Sequence, residues 1–94
     1  MPFFAVHCLD KPNSLELRVA TREKHLAYVT AHPGFRMGGP YLNDEGKPVG
    51  SLIFVEFEDE AGARDFSAGD PYKQAGLFET VEIRRWNYVA GKLP

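Results

Sequence analysis

The stretch VGSLIFVEFE, Val49 to Glu58, alternates with the period of two that belongs to a β-strand. Ser51, Ile53, Val55 and Phe57 fall on one face, and Leu52, Phe54, Glu56 and Glu58 on the other. Both faces carry large apolar groups. Asn43-Asp44-Glu45-Gly46 before it is a turn, and Phe35 to Met37 before that begins another strand. That strand is interrupted at Gly38-Gly39-Pro40, where glycine freedom and a missing amide suit an edge or a bend.

Upstream, Phe3 to Leu9 is an apolar first strand closed by the turn formers Asp10-Lys11-Pro12-Asn13. A helical region follows, with Asn13 or Ser14 as first cap and Thr21 as a second, so a break or bend is expected near Ala20. Leu26, Val29 and Tyr28 supply its apolar stripe, and Pro33-Gly34 ends it. Downstream, Asp59 caps a second helix from Glu60 to about Ala68, which ends at Gly69-Asp70-Pro71. Phe78 to Val89 reads as the last strand, with Val81 and Ile83 facing one way and Phe78, Trp86 and Tyr88 the other.

The order strand, helix, strand, strand, helix, strand predicts an α+β, ferredoxin-like βαββαβ sandwich: two helices on one face of a four-stranded antiparallel sheet. Residues 1–94 are expected to form one domain. The other face of the sheet is left uncovered. Phe3 beside Phe4 and Leu52 beside Ile53 put apolar groups on both faces, and covering the greasy one predicts a homodimer. Arg84, Glu56 and Glu82 are the charges that would keep that face wet in a monomer.

Composition narrows the function classes. With 44% hydrophobic and 26% charged residues and a net charge of −2, the chain has no electrostatic footprint for nucleic acid. No apolar run reaches the ~20 residues of a membrane span, and Met1 to Phe4 lacks the basic and apolar stretches of a secretory signal, so the cytoplasm is the expected compartment. The single cysteine, Cys8, sits in an alternating apolar segment and reads as an inert strand residue. His7, His25 and His32 match no compact metal-ligand spacing, and Gly38-Gly39 opens no helix after a strand, so neither a metal nor a phosphate cradle is indicated. Flavin and nicotinamide are not indicated either; no cofactor is expected.

Asp10-Lys11, Ser14-Leu15-Glu16, Arg18, Arg22, His25-Leu26, Gly39-Pro40, Gly50-Ser51, Asp70-Pro71-Tyr72 and Ala75-Gly76-Leu77 together, in this order and spacing, resemble the YCII family over nearly the whole chain. The resemblance implies a dimer related in architecture to the dimeric α/β-barrel proteins, with a small-molecule pocket between helices and sheet. It also implies a His-Asp dyad, which falls on His25 and Asp70. The family includes a dehydrochlorinase that removes HCl from a hydroxylated ring.

A histidine titrates near neutral pH and can take and return a proton; a carboxylate on one ring nitrogen fixes the tautomer and leaves the other nitrogen free as base. From sequence alone His25 beside Leu26 and Val29 reads as a core or boundary residue, and Asp70-Pro71 as a turn. Ser51 can donate to a substrate oxygen or merely fill its strand. Arg18 and Arg22, one helical turn apart, can clamp a carboxylate or phenolate or lie on the solvated surface. Tyr72 can bind a ligand or pack on the second helix, and Pro40 completes the substrate-binding candidates. Two functions stay open: a small-molecule lyase or dehydrochlorinase-like enzyme with His25 as general base, and a non-catalytic dimeric metabolite-binding module. A cofactor-independent monooxygenase of the dimeric-barrel type is a third.

Overall fold

A computed structural model describes residues 1–92. Strand β1 (Phe3–Asp10) is followed by helix α1 (Leu15–Ala31), strands β2 (Phe35–Leu42) and β3 (Pro48–Glu56), helices α2 (Glu60–Ala68) and α3 (Pro71–Gln74), and strand β4 (Phe78–Trp86). The four strands form one antiparallel sheet in the order β2-β3-β1-β4, which is the ferredoxin-like arrangement. No helix among the described residues is long and apolar enough to cross a membrane.

The alternation read from Val49 onward decides the two sheet faces. Across the β1–β3 ladder Phe4 meets Val55, Val6 meets Ile53 and Cys8 meets Ser51, and all six are buried on the helix side. Phe3, Ala5 and His7 pair with Glu56, Phe54 and Leu52 on the side without helices. There the rings of Phe3 and Phe54 lie 6.1 and 4.8 Å from Trp86, and the whole cluster is only half-buried.

Four local readings change. Strand β2 runs through Gly38-Gly39-Pro40 without interruption, because it is an edge strand: Pro40 stands opposite Ser51, and its missing amide costs no second ladder. Helix α1 is continuous past Ala20; the Thr21 hydroxyl donates to the Leu17 carbonyl at 2.8 Å, the back-bond of a helix interior, and caps nothing. In β4 the register shifts against β1 between Leu9 and Asp10, so Phe78 turns into the core with Leu77 and Tyr72 and does not share the face of Trp86. Strands β3 and β4 also end sooner than read, at Glu56 and Trp86.

Helix α1 lays an unusual stripe on the sheet. Its buried residues are Arg18, Thr21, His25 and Val29, spaced for one helical face, while Val19 and Leu26 are about half exposed at 52% and 50%. Of the expected apolar stripe only Val29 is fully buried, with Tyr28 half-buried beside it. A helix that buries an arginine and a histidine while exposing leucine and valine must repay the polar burial with specific partners.

Candidate active site

Those partners come from the ends of the other elements. Asp10, the last residue of β1, receives the Arg18 guanidinium through two hydrogen bonds, Nε to Oδ2 at 2.7 Å and Nη2 to Oδ1 at 3.0 Å. The same Nη2 donates to Ser51 Oγ on β3 at 2.8 Å. Burial would push the guanidinium down, but the hydrogen bond and charge of Asp10, helped by Tyr72 and Cys8, outweigh it and hold Arg18 above its ordinary value. Arg18 is therefore a buried cation.

Two turns further along the helix, His25 Nδ1 lies 2.8 Å from Asp70 Oδ1. Asp70 is the N-cap of the four-residue helix α3, where Pro71 occupies the first turn, and the same Oδ1 accepts from the Tyr72 amide at 2.9 Å. The Asp-Pro pair is thus both a turn and a partner of His25. An ionised carboxylate only accepts, so the contact places the proton on Nδ1 and leaves a lone pair on Nε2. Among the described residues Nε2 has no hydrogen-bond partner and is not sealed from solvent, and His25 lines the cavity described next.

Tyr72, 2% exposed, locks the arrangement. Its ring stacks on the His25 imidazole at 4.0 Å and 17°, and the Arg18 guanidinium carbon lies 4.6 Å from its centroid. The Tyr72 hydroxyl, like Nε2, has no partner among the described residues and is not sealed from solvent.

These groups form one wall of a cavity of about 250 Å³ between α1 and the sheet. Arg18, Arg22, His25, Ser51 and Tyr72 supply the polar lining; Leu26, Val29, Phe35, Ile53 and Pro40 supply the apolar part. Every site residue read from the sequence except Asp70 lines this cavity, and Asp70 stands behind His25. Because Ser51 Oγ accepts from Arg18, its own hydroxyl proton is free to point at a bound molecule. Arg22 is exposed and makes no ion pair among the described residues.

Asp10 was not read as a site residue, although it stands just before the turn that leads back to Arg18. Cys8 lies beneath the site but is inert: burial first, then the charge of Asp70, pushes its thiol up to about 12. On the uncovered face His7 Nδ1 meets the Tyr41 hydroxyl at 2.7 Å, a contact the sequence did not announce because β3 lies between their strands. His32, at the end of α1, accepts from the Gly34 amide and packs on Phe57 and Phe66.

The chain is similar to known proteins over nearly its whole length. An uncharacterised protein of Haemophilus influenzae is 32% identical, covering 93% of this chain and 98% of its own length. Protein YciI of Escherichia coli O6:H1 is 33% identical, covering 92% and 97%. Among solved structures, the 5-chloro-2-hydroxyhydroquinone dehydrochlorinase of Burkholderia phenoliruptrix AC1100, in complex with 2,5-dihydroxybenzoquinone, has a TM-score of 0.81 at 30% identity, covering 93% of this chain and 95% of that one. An antibiotic biosynthesis monooxygenase shares the dimeric α/β-barrel type of fold alone, with a TM-score of 0.60 at 10% identity over 96% of this chain and 100% of the other. The family model for the YCII-related domain matches residues 2–87, and the chain belongs to the YCII-related domain family.

Proposed function

We propose that the chain is a small-molecule enzyme of proton-transfer chemistry, a lyase or dehydrochlorinase-like activity on a small hydroxylated, aromatic compound. The observation that carries this reading is the His25 ring, anchored at Nδ1 by Asp70 and unbonded at Nε2 on the wall of a ring-sized cavity. In the reaction Nε2 takes a proton from a substrate hydroxyl or acidic C–H, the released electron pair forms a new double bond, and the leaving group departs with its bonding pair. With a chlorinated substrate the products are an unsaturated carbonyl compound and HCl, as chloride in solution and a proton that His25 returns to water. Asp70 favours the imidazolium that forms, and Ser51 and Tyr72 hydroxyls donate to substrate oxygens. The similarity to a dehydrochlorinase solved with a dihydroxybenzoquinone supports the choice of substrate.

The test is chloride release and product recovery from a panel of chlorinated hydroquinones. His25→Ala and Asp70→Asn are each expected to lower turnover about 10²- to 10⁴-fold, the ordinary worth of a positioned general base. Turnover within threefold of wild type in both variants would falsify the assignment. Binding of the panel without chemical change would select the metabolite-binding module instead.

We also propose that the chain works as a homodimer, joined through the uncovered sheet face. Phe3, Phe54 and Trp86, with Met37 and Tyr88, surround a hollow of about 290 Å³ there, and such half-exposed rings are stabilised by a matching surface. The dimeric-barrel type of fold supports the same pairing.

A further inference from the structure

The charges around the cavity do not cancel. Among the residues lining it, Arg18, Arg22 and His25 carry or acquire positive charge, and none is acidic. Two carboxylates, Asp10 and Asp70, stand behind these residues, and each is already engaged. Both Asp10 oxygens receive Arg18, and Asp70 receives His25 and the Tyr72 amide. Of the three, Arg22 alone has no counter-charge among the described residues. Its own helix offers none: one turn to either side stand Arg18, Val19, His25 and Leu26, so no carboxylate sits at the positions that face it.

We propose that Arg22 is the anion subsite of this cavity and that the substrate is a single-ring compound bearing a carboxylate, held by the Arg22 fork at the mouth. This rests on the reading of the cavity as the reactive site. A guanidinium presents two parallel donors that match the two oxygens of a carboxylate, whereas a phenolate or hydroxyl engages one. About 250 Å³ is below the usual range for drug-sized ligands, roughly 300 to 1,000 Å³, and suits one ring with small substituents. With the carboxylate on Arg22, the ring lies against Pro40, Val29 and Ile53. A ring hydroxyl then reaches toward His25 and Ser51, which line the same cavity.

The experiment compares binding of 4-hydroxybenzoate and its methyl ester to the full chain by calorimetry, with NMR shift mapping. The acid is expected to bind at least about tenfold tighter than the ester at low salt, with the preference shrinking as ionic strength rises because Arg22 is exposed. In Arg22→Gln the preference falls below about threefold while the melting temperature stays as in wild type; in His25→Ala it persists. Equal binding of acid and ester, a preference that survives Arg22→Gln, or no binding of either overturns the subsite. The outcomes separate from those of the proposed reaction. A lost preference with His25-dependent turnover removes the subsite alone, and an intact preference with no turnover removes the reaction alone.

Discussion

Replacing Asp10 by alanine tests the most consequential electrostatic feature of the fold, the buried Arg18. The side chains of Arg18 and Asp10 retain 4% and 6% of their accessible surface, so water contributes little to either. Asp10→Ala removes both hydrogen bonds to the guanidinium and leaves it one neutral acceptor, Ser51, and the face of Tyr72. Those two contacts do not replace a carboxylate. Breaking one side of a buried pair costs about 3 to 5 kcal/mol, mainly because the remaining charge is stranded. For a domain of this size each kcal/mol moves the melting temperature by about 4 to 8 °C, so a fall of about 12 to 40 °C is expected. That is a large share of the roughly 5 to 14 kcal/mol available to 94 residues. Urea unfolding followed by circular dichroism gives the free energy, and calorimetry the midpoint. The double variant Arg18→Met with Asp10→Leu strands no charge and is expected to recover at least about 2 kcal/mol of the loss. A single-variant cost below about 1 kcal/mol, the worth of an exposed ion pair, would show that solvent screens this pair and would refute the reasoning.

Three further outcomes follow from the same structure. The Cys8 thiol is raised in the fold from 9.0 to about 12, so stability is complete below pH 9 and falls as pH climbs toward 12, by at most about 1.4 kcal/mol per unit; Cys8→Ala should flatten that alkaline limb of the urea midpoint, and an unchanged limb contradicts the burial account. Gly50→Ala would drive a methyl into the Cys8 carbonyl oxygen and set it 3.0 Å from the Tyr41 ring, so the β1–β3 ladder must shift; a loss of about 1 to 3 kcal/mol is expected, and a neutral result means that the ladder yields freely. Trp86→Glu should convert a wild-type mass of two chains into one by light scattering, and a dimer that persists in this variant pairs through another face.

The sequence determined the sheet and its two faces. A period of two in Phe3–Leu9 and Val49–Glu58, bounded by Asp10-Lys11-Pro12-Asn13 and Asn43-Asp44-Glu45-Gly46, is local information; both segments are strands, and Ser51, Ile53 and Val55 share the inner face as read. Asp59 announced helix α2 for the same reason, since its side chain accepts from the Gly62 amide only three residues away.

The environment of helix α1 was not local. Nothing in Arg18, Thr21 or His25 tells a reader of the chain that they face inward, because apolar spacing favours Leu26, which lines the cavity yet stays half exposed. Their burial is tolerated only because Asp10, Ser51 and Asp70 arrive from other elements, the last from 45 residues away. The resemblance to the YCII family pointed to His25 and Asp70 as a pair, but it left Arg18 between surface and site and passed over Asp10 as its partner. The turn of Phe78 into the core was equally hidden, since it depends on a register shift against β1 and not on anything in β4 itself. Patterns along the chain fix which residues share a strand or a turn. Whether a charged side chain can leave water is fixed by what the tertiary fold sets against it.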